Sequence, residues 1–246
     1  MRPLSAHQIL QIWEIGQGQH PLDRALTLLR FAYPERSSAE LASLSIGQRD
    51  AHLLTLRELT FGSQLTGSAE CSRCKERLEF ALNAADIRLI DATDTASSKV
   101  QTYSLTLAEF ELELRLPNSW DLAALVRARA TPSPWLLQRC LLKASRQGSS
   151  VTYAELPPQV LEQLVEQMTE WDPQAEIQLN LECPACQHRW SALFDILSFF
   201  WTELGVQAKR LLREVHTLAR FYGWREADIL AMSPLRRQFY LDLVSG

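Results

Sequence analysis

Two C-x2-C pairs, Cys71/Cys74 and Cys183/Cys186, constrain this chain more than any other feature, because four thiols at that spacing complete the tetrahedral donor set of a structural zinc. Each pair reads as a short hairpin whose tight turn aims two sulfurs at one point, and neither pair suffices alone. If both grip one ion, the 112-residue step from Cys71 to Cys183 must leave the site and return to it as a single closed excursion. Two independent domains split within that span are then excluded.

The two copies match beyond the cysteines. Glu70 aligns with Glu182, Arg77 with Arg189, Leu78 with Trp190 and Asn83 with Asp195, so a strand, knuckle, strand unit occurs twice and predicts a pseudo-symmetric zinc ribbon. One structural zinc held by Cys71, Cys74, Cys183 and Cys186 is the favoured reading. A disulfide within each pair, a redox-active pair and unligated thiols are the alternatives. A redox motif wants its first cysteine at a helix N-terminus, whereas both pairs lie between strand-like runs. Four thiolates fill the shell, which leaves His188 the role of a supporting donor. A tetrathiolate zinc carries net negative charge that Arg73, Lys75, Arg77, His188 and Arg189 are placed to offset, although solvated hairpin residues would read the same way.

A chain of 246 residues can bury a core without a metal staple, so the zinc is local scaffolding. Hydrophobic content of 46% and charged content of 22% describe an ordinary globular protein. No run of about 18 apolar residues occurs, and residues 1–19 mix Arg2, His7 and Glu14 among the apolar ones, so neither a membrane span nor a signal peptide is expected. The expected location is the cytoplasm, where thiols in metal spacing stay reduced. Cys140, the fifth cysteine, reads as a buried small hydrophobe on a helix. A net charge of −4 and a pI near 5.8 argue against a general nucleic-acid surface.

Along the chain, Ser5 caps a helix to about Ile15, Pro21 opens a second to Pro34, a Ser-rich turn follows, and Ser45 caps a third over 46–61 that Gly62 closes. Strand-like 64–70 and 77–82 flank the first knuckle. The polar, aperiodic stretch 91–98 reads as a flexible surface loop. Residues 103–107 and 110–116 read as strands, the second in strict alternation. Asn118 or Ser119 caps a helix through Ala130, Pro134 begins another through Ala144, and Gly148 turns the chain. Pro157 and Pro158 start a helix to about Trp171. Strands around the second knuckle then switch to a helical pattern over 196–222, which Gly205 is expected to break or bend, and helices over 225–231 and 234–244 follow. The fold class is α+β: mainly helical, with a small antiparallel β and zinc-ribbon module. Residues 1–62 form a helical block, 63–195 the ribbon with a helical insertion at 119–171, and 196–246 the C-terminal helices, together one compact unit.

No phosphate loop, G-x-G-x-x-G, G-x-S-x-G or H-E-x-x-H occurs. The five histidines are dispersed, and Asp50 and His52, two apart on a helix, face different sides. His216 is the best catalytic candidate, and a helix histidine among charged neighbours is usually structural. A catalytic zinc needs an open position that four cysteines do not leave. The expectation is therefore no enzyme, no catalytic residue and no nucleic-acid partner.

Residues 46–50 running to Phe61-Gly62, the knuckle Cys183-Pro184-Ala185-Cys186 running into Phe194-Asp195-Ile196 and Phe199-Phe200-Trp201, and 211–216 running to Trp224 together resemble the baseplate hub assembly chaperone family of T-even-type tailed phages. They resemble in particular its relatives encoded with phage-tail-like contractile injection systems. The resemblance is strongest over 44–82 and 174–244. It implies a non-enzymatic factor that helps build the hub and baseplate, with baseplate or hub proteins as partners and no catalytic residue to carry over. A structural baseplate component and a zinc-ribbon nucleic-acid binder are the alternatives, with a metalloenzyme behind them.

The last 48 residues are rich in rings and arginines. That mixture is typical of interface hot spots, so Phe200, Trp201, Arg213, Arg220, Trp224 and Arg237 are the candidate partner-binding residues. The competing reading makes the rings core and the arginines solvated.

Overall fold

The computed structural model describes residues 1–92, 101–129 and 131–245. The fold is α+β. It opens with four helices, α1 (Ala6–Gly16), α2 (Pro21–Ala32), α3 (Ser38–Ser43) and α4 (Ile46–Phe61). Three of them start on capping boxes in which Ser5, Ser37 and Ser45 each accept from the third helical N–H while Gln8, Glu40 and Gln48 reach back to the cap. The Ser-rich turn expected after α2 is therefore partly helix: Ser37 and Glu40 supply the signal for α3.

The first knuckle joins β1 (Gln64–Glu70) to β2 (Arg77–Asn83), and the second joins β7 (Ile177–Glu182) to β8 (Arg189–Phe194), each an antiparallel two-stranded sheet. Between them lie β3 (Thr102–Leu107), β4 (Phe110–Arg115), α5 (Ser119–Ala128), α6 (Pro132–Cys140), β5 (Leu141–Arg146), β6 (Ser149–Ser150) and α7 (Pro158–Trp171). The strands β3-β4-β5-β6 form a four-stranded antiparallel sheet. Of these, β5 and β6 fall within the helical insertion expected over 119–171, which is therefore part strand. The helix expected to run to Ala144 stops at Cys140, and 141–146 pair with β4 across a bulge at Glu113/Leu114. Helix α5 ends at Ala128 with Arg129 in a left-handed conformation, φ 51°. The loop expected over 91–98 lies, beyond its first two residues, outside the described part of the chain.

The chain ends in α8 (Ile196–Tyr222), α9 (Glu226–Ala231) and α10 (Pro234–Ser245). Helix α8 runs its 27 residues through Gly205 without interruption, contrary to the break expected there. The absent side chain leaves room beside Trp13, whose ring nitrogen would stand 3.8 Å from a Cβ. No helix among the described residues is long and apolar enough to cross a membrane.

Two hydrophobic cores result. The larger buries Ile12, Leu28, Leu29, Leu53, Leu56, Phe200, Leu204 and Leu218 between α1, α2, α4 and α8, and takes in Leu65 of β1 and Ile177 of β7. The smaller packs Phe110, Leu112 and Leu114 of the four-stranded sheet against Leu137, Val160 and Leu164. The ribbon hairpins are thus rooted in the larger core at one end while their knuckles project from it.

Candidate metal centre

Each knuckle is built by the same backbone hydrogen bonds. The Cys71 N–H donates to the Glu76 carbonyl at 2.8 Å and the Lys75 N–H returns to the Cys71 carbonyl at 3.0 Å; in the second copy Cys183 donates to His188 and Gln187 to Cys183, both at 2.9 Å. Lys75 and Gln187, at matching positions, both adopt positive φ, 65° and 57°. That left-handed residue turns the chain so that both sulfurs of a pair point the same way. The closing pairs also correspond, Glu70 opposite Arg77 and Glu182 opposite Arg189.

The correspondence extends outward from the knuckles. Asn83 and Asp195 each end a hairpin and cap the helical turn after it, accepting from Ala85 N–H at 3.1 Å and from Leu197 N–H at 2.9 Å. Upstream, α4 begins at Ile46 after its cap Ser45, and α7 begins at Pro158 after Pro157, the same 112-residue step that separates the cysteines. The repeated unit is therefore helix, strand, knuckle, strand, cap.

The two units bring Cys71, Cys74, Cys183 and Cys186 together with all four sulfurs within 4.8 Å of one another. Across the pairs, Cys71 Sγ stands 3.7 Å from Cys186 Sγ and Cys74 Sγ 3.5 Å from Cys183 Sγ. Sulfurs placed tetrahedrally about 2.3 Å from a zinc ion would be about 3.8 Å apart, so the cluster fits one such ion. Cys71 and Cys183 are buried, Cys186 half-buried and Cys74 exposed, and all four are free thiols.

The backbone N–H of Cys74 draws the Cys71 thiol down to about 6, against burial and with help from the Arg73 N–H and neighbouring sulfurs. Cys74 goes the other way. The Glu76 N–H pulls it down, but the sulfurs of Cys186, Cys183 and Cys71 together with burial raise it to about 12.

Lys75, Arg77, His188 and Arg189, four of the five residues expected to offset the thiolates, are engaged within or between the hairpins, and Arg73 is exposed. Lys75 pairs with Glu70 at 3.4 Å, Arg189 with Glu182 at 2.8 Å, and Arg77 donates to Ser68 at 3.1 Å. His188 meets Ser72 of the other knuckle at 3.0 Å and stacks on Trp190, so it ties one hairpin to the other.

Sequence reasoning missed three buried polar clusters, two of which anchor the approaches to this centre. Arg57, 2% exposed, donates to Glu203 and to the carbonyls of Gly62 and Gln64, both at 2.7 Å, fixing the entry of β1. Asp172, just before β7, accepts from Ser45 Oγ at 2.9 Å and Gly47 N–H at 3.0 Å, so the approach to the second hairpin is tied to the start of α4. Gly47 permits this closeness, since a Cβ there would sit 2.2 Å from the Asp172 Oδ1. Asp121, fully buried, takes Arg115 through both oxygens and Arg139 through one, joining the four-stranded sheet to α5 and α6. Only the capping serine was legible in advance; the partners are remote in sequence.

The expected partner-binding residues do not form one open face, which corrects that expectation. Phe200 is fully buried and packs edge-on to Phe61, and Arg237, 4% exposed, donates to Glu214 at 2.9 Å and to the Met232 carbonyl at 2.8 Å. Trp201 is half-buried under Arg24 at 4.5 Å, and Trp224 stacks on Tyr222 at 4.4 Å. Arg213 and Arg220 stay exposed on α8, whose inner side faces the core. His216, the catalytic candidate, is also exposed, whereas His52 is buried and bonded to the Tyr33 hydroxyl at 2.7 Å.

A family model described as T4 bacteriophage base plate protein matches residues 32–201, from the end of α2 to the first turns of α8, and so contains both repeated units and all four cysteines. Comparison with curated proteins and with solved structures returned no match.

Proposed function

This chain belongs to the T4 bacteriophage base plate protein family, and from that premise we propose that it is a non-enzymatic assembly factor for the hub and baseplate of a phage tail or phage-tail-like contractile injection system. The family match carries the reading, since it spans most of the fold and the whole ribbon. The four cysteines would hold one structural zinc, which would offset part of the thiolate charge and join the two knuckles. Cys71, Cys74, Cys183 and Cys186 supply the ligands, and His188 holds the knuckles in register from outside. A set of four thiolates leaves no position for a substrate, which supports a scaffolding role. Other baseplate or hub components are the partners, and the exposed Arg213 and Arg220 are the part of the expected docking set that remains available to them.

The test is co-purification from an assembling lysate, with mass spectrometry of assembly intermediates and of mature particles. A chaperone is expected in the intermediates and absent from finished particles. Its presence at fixed stoichiometry in finished particles makes it a structural component, and its absence from both overturns the reading.

A further inference from the structure

Helix α10 carries large apolar side chains on two sides. On the inner side Arg237 is buried against Glu214 of α8, and Tyr240 meets the Trp224 ring edge-on at 4.8 Å. On the outer side Leu235, Phe239 and Leu243 are 83%, 63% and 59% exposed. Residues four apart form one ridge on a helix, here about 12 Å long. Arg236 flanks this ridge on one side and Asp242 on the other, because a helix turns by about 100° per residue. Both are exposed. Arg236 lies over the Tyr240 ring at 5.8 Å, and Asp242 accepts from Gln238 Nε2 at 2.7 Å, which leaves the charge of each facing solvent.

We propose that this ridge is the contact surface of a homodimer in which α10 pairs with α10 of a second copy, the two helices running parallel about a two-fold axis. The charges choose this occupant. A basic rim would call for an acidic partner, whereas here one flank is positive and the other negative. A two-fold along the helices sets the Arg236 flank of each copy against the Asp242 flank of the other, with an axial step of about 9 Å, similar in kind to the interhelical ion pairs of parallel coiled coils. An antiparallel pair would instead place arginine beside arginine and aspartate beside aspartate. Each ridge residue then meets its own counterpart across the two-fold axis. The ridge is small beside the roughly 1,200 Å² or more of a tight complex, so the dimer is weak and forms in the micromolar range.

The inference stands apart from the baseplate reading, and its test uses the full-length chain alone. Sedimentation equilibrium over a concentration series should show a reversible monomer–dimer equilibrium. Phe239→Glu should leave a monomer with unchanged helical circular dichroism. Arg236→Asp and Asp242→Arg should each weaken the dimer about tenfold, and the two combined should restore it. A monomer at all concentrations, a dimer indifferent to Phe239→Glu, or a double reversal without rescue would each overturn the proposal. So would a ridge needed to bind a baseplate protein but not for self-association.

Discussion

Arg57 and Glu203, 146 positions apart, face each other through two parallel hydrogen bonds, Nε to Oε2 at 2.8 Å and Nη2 to Oε1 at 2.6 Å. The same guanidinium holds two backbone carbonyls where α4 gives way to β1, so one side chain fastens the first ribbon hairpin to α8. Removing one member of a buried ion pair leaves the other uncompensated, at a cost of about 3–5 kcal/mol. Arg57→Ala is expected to fall in that range by urea unfolding. Glu203→Gln should cost less, because the amide oxygen of Gln still accepts from the guanidinium and Arg57 keeps the Gly62 and Gln64 carbonyls.

Metal analysis should return one zinc per chain, lost on replacing Cys71 or Cys183 by serine. Removing zinc with a chelator should raise amide exchange in β1, β2, β7 and β8 first. The helices that bury Ile12, Leu53 and Phe200 have a core of their own and should remain protected. Uniform loss of protection in all elements would show instead that the metal holds the whole fold.

Two buried aspartates should give opposite pH dependences. Burial raises the Asp172 carboxyl to about 6, despite the hydrogen bonds from Gly47 and Ser45. The folded state therefore binds the proton more tightly than the unfolded one. Its contribution is complete below the ordinary value of 3.8 and is lost as pH rises through about 6, by on the order of 3 kcal/mol. Stability curves of wild type and Asp172→Asn should converge or cross in that window.

Burial also pushes Asp121 up, but Arg115, the Asn118 N–H and Arg139 outweigh it, and the carboxyl ends below its ordinary value. Its contribution is present above that value and is lost as pH falls through the lowered one. Asp121→Asn should thus be most destabilising at neutral pH and least so in acid, as read by thermal unfolding across a pH series.

Gly16, near the end of α1, is covered by the Trp201 ring; a Cβ there would lie 2.1 Å from Cη2. Gly16→Ala should cost about 1–3 kcal/mol through overpacking. Combining it with Trp201→Leu should cost less than the sum of the two single changes, because the smaller side chain removes the clash.

The ribbon was legible in the sequence because its determinants are local: cysteine spacing, alternation and capping residues fall within one turn or hairpin. The capping serines Ser5 and Ser45 were legible for the same reason, although the reciprocal bonds from Gln8 and Gln48 were not. Strand β5 was not, because Leu141, Leu142 and Ala144 suit a helix as well as a strand, and only the neighbouring β4 decides between them. Phe200 and Arg237 were assigned to an interface by composition, yet rings and arginines also build interiors when a carboxylate such as Glu214 waits at the right place. That information is tertiary, as is the partnership of Asp172 with Ser45 across 127 positions.

The duplication of helix, strand, knuckle and strand has a consequence for how the molecule can change over time. Each unit owns two of the four clustered cysteines, so the candidate metal centre is a seam between two like halves that happen to share one polypeptide. The four-stranded sheet, α5 and α6 lie in the chain between the two halves, and the sheet and α6 pack through the smaller core against α7. Change in this insertion is tolerated where it spares its contacts with the two units, namely the pairing of Ser45 with Asn118 and the packing of Phe110, Leu112 and Leu114 against Val160 and Leu164.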